Sequence, residues 1–205
     1  FFIEVAEKKG VIHSLADLIR EVTSNRIAQA ILVSFPLVLM VEGSIASLKA
    51  PELFSQLVLV GPSPRYIDDE GYVGGFGAAQ IEELLEFLAE NPMAWSQAMA
   101  SAIMGNADRP ELGAELTDSF CRSDPVIAAA FARATFTSDN RADLPKVMAR
   151  TLILQCADDV IAPVAVGRYV HAQIRGSKLV ELDATGHCPN LSAPAEVISA
   201  IRAFV

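Results

Sequence analysis

Apolar residues in this chain gather into two kinds of run. Some are short and continuous, such as Leu57 to Val60 (LVLV), Thr151 to Gln155 and Lys178 to Leu182. Others recur at helical spacing, as in the first thirty positions, where Leu15, Leu18, Ile19 and Val22 share one face and Asp17, Arg20 and Glu21 lie opposite. Ile31 to Val33 predicts a further short strand, and Val41 to Leu48 suits a helix that Pro51 ends. Short continuous strands alternating with helices imply a parallel sheet covered on both faces, because only a strand buried on both sides can be apolar at every position.

Between Ser63 and about Leu144 no strand-like run occurs. The spacing instead predicts helices over Ile81–Glu90, Pro92–Met104, Pro110–Ser119 and Pro125–Thr137. Three of them open with proline in the first turn, which costs no hydrogen bond there, and Asp124 stands as a cap before the last. An all-helical block inserted between two parallel strands reads as a cap over the carboxyl edge of the sheet, where such folds hold their ligands. The predicted organisation is therefore α/β: residues 1–63 and 143–205 form the two parts of the core, residues 64–142 form a helical cap, and a last helix spans Ala195–Phe204.

Composition narrows the function classes. At 205 residues the chain fits one domain with an insertion. Hydrophobic residues make up 52%, and the mean hydropathy of +0.35 is high. Even so, the longest apolar run, Ala28 to Val41, is broken by Gln29, Ser34 and Pro36 and is too short to span a bilayer. A net charge of −9 without any basic cluster argues against a nucleic-acid partner. No secretory leader is read at Phe1-Phe2-Ile3-Glu4. Cys121, Cys156 and Cys188 lack metal-ligand spacing and suit reduced thiols, so a cytoplasmic protein without metal or cofactor is expected.

Two loops carry the chemistry. QCADDVIAP (155–163) follows one predicted strand, and ATGHCPNLSAP (184–194) follows the next. An aspartate and then a histidine after successive strands is the acid-then-base half of a Ser…Asp…His arrangement, in α/β-hydrolase chain order. His187 is the candidate base and Asp159 the candidate acid; either Asp158 or Asp159 could instead cap a turn. Cys188 adjoins His187, but neighbouring loop residues point apart. His13 and His171 fall on helical segments, facing solvent, and Asp68-Asp69-Glu70 reads as a solvated loop.

Long stretches of the chain resemble the RsbQ-type α/β-hydrolases, a group that includes a bacterial stress regulator and the plant strigolactone and karrikin receptors. They are APELFSQLVLVGPSPRYIDDEGYVGGF (50–76), NPMAWSQAMA (91–100), FCRSDPVIAAAFARATFTSDNRADL (120–144), TLILQCADDVIAPVAVGRYVHAQI (151–174) and ATGHCPNLSAPAEV (184–197). The resemblance implies an α/β-hydrolase fold with a V-shaped four-helix cap roofing an apolar pocket. It makes Asp159 the triad acid and His187 the base, and turns Phe76, Trp95, Phe131 and Phe136 toward substrate, with Tyr66 and Met99 beside them. Taken without the family, the same aromatics read as cap-to-core packing.

Before position 50 the match decays. The earlier strands of the family, and the loop giving half its oxyanion hole, have no counterpart. Its Gly-His-Ser elbow would fall on Ser34-Phe35-Pro36 in one register, or place Leu37 at the serine in the other. An elbow nucleophile sits in a strained conformation that a proline φ near −65° cannot take. Ser34 and Ser44 are the nearest hydroxyls. Two readings stay open. One is a serine-hydrolase-like protein acting on or sensing a small apolar ester or lactone, in stress signalling. The other is a catalytically dead regulator that binds a small hydrophobic ligand and signals through a protein partner.

Overall fold

The computed structural model describes residues 29–32, 47, 48, 54, 56–122 and 124–205. Four parallel strands, β1 (Gln29–Leu32), β2 (Gln56–Val60), β3 (Arg150–Asp158) and β4 (Lys178–Thr185), form one sheet in that order. Between β2 and β3 lie α1 (Ala78–Glu90), α2 (Pro92–Met104), α3 (Pro110–Cys121) and α4 (Pro125–Thr137), then a 3₁₀ turn at Arg141–Lys146. Helix α5 (Val164–Gln173) joins β3 to β4, and α6 (Pro189–Ser192) and α7 (Pro194–Arg202) complete the chain. Of the helix predicted over 1–30, residues 1–28 lie outside the described residues, and Gln29 and Ala30 are strand instead, opening β1 two residues before the predicted Ile31. Of the helix predicted over Val41–Leu48 only Ser47 and Leu48 are described, both helical, and Ser34, Pro36, Leu37 and Ser44 lie outside the described residues.

The continuous apolar strands are explained by the sheet's two faces. Successive strand residues point to opposite sides. Leu57, Leu59 and Ile153 pack against Val170 and Ile174 of the α5 side. Val58, Val60, Leu152 and Leu154 pack against Val197 and Ile201 of α7, with Phe204 beyond it. Leu152, Ile153 and Leu154 are fully buried, and each such side chain contributes about 1.5–3 kcal/mol by leaving water.

Element ends differ from the periodicity in instructive ways. Helix α1 starts before the apolar run because Gln80 Oε1 accepts from the Gly77 N–H at 2.7 Å and closes the first turn. Strands β3 and β4 continue past the predicted Gln155 and Leu182 to Asp158 and Thr185, pairing across an irregularity between Cys156 and Asp158. Exposed residues there, Ala157 and Asp158 on β3 and Asp183 and Thr185 on β4, break the apolar signal. At the chain end, Ala203 and Phe204 lie past the helix, whose last turn their N–H groups close on Ser199 and Ile201.

The cap has its own core, in which Tyr66, Ile81, Leu85, Trp95, Met99, Ile103 and Phe136 join Ile161 and Cys188 of the lower loops. Its stalks are tied together: the Asn140 N–H donates to Pro64 O at 2.8 Å. Arg65 and Arg141 both reach Asp139 Oδ2, at 3.2 and 2.6 Å, and Arg141 also meets Asp69 at 2.8 Å. The acidic loop is thus exposed as expected, yet two of its side chains are structural. Asp68 Oδ1 accepts from the Gly74 and Gly75 N–H groups at 2.7 and 2.9 Å, and Asp69 is one arm of the stalk network.

Candidate active site

Strand β3 delivers Asp159 to the carboxyl edge of the sheet, and β4 delivers His187 beside it. His187 Nδ1 lies 2.7 Å from Asp159 Oδ2, and both side chains are wholly buried. The other carboxylate oxygen, Oδ1, accepts from the N–H groups of Ile161 and Ala162 at 2.9 and 3.0 Å. Gln155 secures that turn from below, its Nε2 donating to Ala162 O at 2.8 Å. A carboxylate accepts and does not donate, so Nδ1 carries a ring proton.

The candidate base is held by main chain as well. The His187 N–H donates to Ile103 O, in the last turn of α2, at 2.7 Å, and the Gly186 N–H donates to Asp158 O at 2.7 Å. Gly186 has φ +89° and an added Cβ there would collide with Met104 O. Gly61, at the end of β2 with φ +58°, lets the imidazole lie against the backbone; a Cβ would meet His187 Cε1 at 3.0 Å. Asn106 Nδ2 donates to Thr185 O at 2.9 Å and binds Met104 O as well, stitching the end of α2 to the base loop.

Neighbouring titratable groups are kept neutral. Burial, reinforced by the Asp159 charge, pushes the Tyr66 phenol and the Cys188 thiol far up, and it takes the Cys156 thiol to about 12. Cys188 is therefore a protonated, buried thiol at neutral pH and no nucleophile. His171 is exposed, its Nδ1 2.8 Å from Ser177 Oγ. Among the described residues no cluster of His, Cys, Asp and Glu could hold a metal ion, and no helix is long and apolar enough to cross a membrane.

The four aromatics of the sequence reading fall into two groups. Phe136 is fully buried and meets Tyr66 and Phe76 edge-on, with ring centroids 5.3 and 6.3 Å away. Trp95 stacks obliquely on Phe120 at 5.8 Å. Trp95 and Phe131 line a cavity of about 610 Å³ between the ends of the four cap helices, together with Leu88, Ser96 and Phe120; Phe76 and Phe136 are not in its wall. Phe120 was not singled out from sequence, although it lies at the close of α3, opposite the start of α2 that carries Trp95. The indole N–H of Trp95 is buried without an acceptor among the described residues. Along α2, Trp95 stands two turns, roughly 12 Å, from the Ile103 that holds His187.

A buried Asp–His pair thus lies at the carboxyl edge of a parallel sheet, under an inserted helical layer. The profile of the alpha/beta hydrolase family matches residues 17–200, and the chain belongs to that family. It is similar to strigolactone esterase D14 of Arabidopsis thaliana, 38% identical over 161 residues, which cover 78% of this chain and 60% of that protein. It is also similar to the karrikin insensitive 2 receptor CA of Petunia hybrida, 36% identical over 157 residues, 76% of this chain and 58% of the receptor. The structure of a hydrolase from Oleispira antarctica superimposes with a TM-score of 0.79 at 34% identity, covering 82% of this chain and 62% of that one. The chain thus spans about three-fifths of the length of these relatives. They fall in the group to which the sequence resemblance pointed.

Proposed function

We propose that this chain supplies the acid and base of a hydrolase-type site that acts on a small, apolar, uncharged ester or lactone. The observation that carries this reading is the buried His187–Asp159 pair, 2.7 Å apart, the base-and-acid half of a triad. In such a site the nucleophile attacks the carbonyl as its proton passes to Nε2. Asp159 holds the tautomer and steadies the imidazolium, and the same proton is then returned to the leaving group. The cavity beside Trp95 favours an apolar ligand, and the unpaired indole N–H favours one with an acceptor oxygen. The candidate hydroxyls Ser34 and Ser44 lie outside the described residues.

A second reading, a ligand-binding regulator with little or no turnover, is favoured by Pro36 at an elbow position, where proline cannot adopt the strained conformation. One experiment separates the two. Fluorophosphonate labelling with peptide mapping, run beside p-nitrophenyl acetate turnover, finds a labelled serine and His187-dependent hydrolysis if the first reading is right. Binding of a butenolide seen in Trp95 emission, with neither labelling nor turnover, selects the second. The absence of all three responses removes both.

A further inference from the structure

The turn over residues 105–110, between α2 and α3, sends two side chains out of the cap and into the loop that carries His187. Helix α2 stops at Gly105, whose φ is +69°. A Cβ there would meet Thr185 Cγ2 at 2.9 Å, so glycine lets the helix end close against β4. The Arg109 N–H donates to Asn106 O at 2.9 Å and closes the turn, and Pro110 begins α3 directly after it. Both side chains are thereby aimed from a fixed backbone.

The Asn106 carboxamide works in two directions. Its Nδ2 donates to Met104 O at 2.6 Å and to Thr185 O at 2.9 Å, and its Oδ1 accepts from Arg109 Nη2 at 2.5 Å. The other arm of the guanidinium, Nη1, donates to Ser192 O at 2.9 Å, and Ser192 Oγ donates to Thr185 O at 3.3 Å. Met104 closes α2, Thr185 closes β4 and Ser192 closes α6, so three element ends meet on one Asn–Arg pair. His187 lies between the last two. Carbonyl oxygens only accept, so the amide NH₂ faces Met104 and Thr185 while its oxygen faces the guanidinium. A carboxylate could serve the arginine alone. Hollows of about 400 and 520 Å³ flank the turn, with Gly105 and Asn106 in the wall of both. Polar contacts, more than side-chain packing, therefore carry this junction.

We propose that Asn106 and Arg109 are positioning residues for His187: together they clamp both ends of its loop and set the register in which Nδ1 meets Asp159. They act through Thr185, Ser192 and the end of α2, without a reacting role of their own. The clamp rests on the reading of His187 as a base, but what it predicts is the state of the imidazole, so the two can fail separately.

The test is proton NMR of the full chain, reading the His187 Nδ1 proton held against Asp159 and identified by its loss in His187→Gln. In the parent it should give a downfield resonance in slow exchange with water. Arg109→Ala and Asn106→Asp should each speed that exchange at least tenfold. Guanidinium at about 50 mM should reverse at least half of the Arg109→Ala effect, and Arg133→Ala, which removes a guanidinium paired with Glu82 at 3.5 Å elsewhere on the cap, should change nothing. If Arg109→Ala does not fold, Arg109→Lys decides in its place, because an ammonium keeps the charge but loses the fork that spans Asn106 and Ser192. Exchange as slow as the parent's in the folded variants overturns the proposal, as does a parent proton already in fast exchange. Acceleration that guanidinium leaves untouched overturns it too, by making the turn a structural tie alone. An Arg109-dependent proton in a chain with neither labelling nor turnover keeps the clamp and removes the hydrolase reading. Turnover that needs His187 but ignores Arg109→Ala does the reverse.

Discussion

The carbonyl of Ile103 accepts the backbone N–H of His187 at 2.7 Å, so the last turn of a cap helix and the candidate base share a main-chain hydrogen bond. The cap does not merely overhang the candidate site; it fixes one of its two candidate catalytic residues. Substitutions at this junction are expected to reach the imidazole without touching it.

Hydrolysis of p-nitrophenyl acetate by this chain is expected to be slow, because its sequence carries no Gly-x-Ser-x-Gly elbow and a triad lacking its nucleophile keeps little of a roughly 10⁶-fold effect. Whatever turnover exists should fall to background on His187→Ala. Asp159→Asn, which spoils the tautomer, should lower it by orders of magnitude, on the scale of about 10⁴-fold for an intact triad. Rates unchanged by both substitutions would remove the pair from the chemistry.

Gly186→Ala should destabilise the fold by about 3 kcal/mol or more, since it adds a Cβ both at positive φ and against Met104 O. For a chain of this size that is a fall of roughly 6–12 °C in melting temperature. A variant melting within a degree of the parent would show that the base loop has room to move.

Phe136→Ala and Phe131→Ala should separate packing from binding. Phe136 is fully buried, and its loss should cost about 3–5 kcal/mol of stability. Phe131 is partly exposed in the cavity wall, and its loss should leave thermal unfolding nearly unchanged while weakening an apolar ligand by about 1–3 kcal/mol. Thermal melts and Trp95 titrations of the two variants read the difference.

Arg141 hydrogen bonds hold the Asp69 and Asp139 carboxyls below their ordinary range. A depressed carboxyl contributes stability that is fully present above its unfolded value, about pH 4, and is lost as pH falls through its folded value. Acid unfolding of the parent should therefore begin below about pH 4 and move to higher pH in 1 M salt. Arg141→Ala should unfold at higher pH than the parent in low salt and lose most of that salt dependence. An acid transition identical in parent and variant would show the stalk network contributes nothing.

The core strands were legible because burial on both faces leaves a continuous apolar run, as Leu57–Val60 and Thr151–Gln155 show. Pro92, Pro110 and Pro125 each mark a helix start where the sequence placed it. Asp159 and His187 were legible because each directly follows a strand signal. The contribution of Ile103 was not, since a backbone carbonyl leaves no trace in residue identity. Nor was the division of the aromatics into a packed group around Phe136 and a cavity group around Trp95. Helical spacing tells which face is apolar, but not whether a neighbour fills the space in front of it. Asp68 and Asp69 looked like plain surface charge because their partners, Gly74, Gly75 and Arg141, depend on how the stalk folds back.

The stalk bond from Asn140 to Pro64 brings the two points where the chain leaves and re-enters the core within one hydrogen bond of each other. A gap so small can be bridged by a turn of a few residues. Geometrically, then, the helical layer is a cassette: it could be exchanged for another insert without altering the path of the sheet. The exchange would uncover Ile161 and Cys188, which the cap core now covers, and it would remove the carbonyl that holds the His187 amide. A grafted cap would have to supply its own acceptor at the position of Ile103, which ties any change of roof to the readiness of the base beneath it.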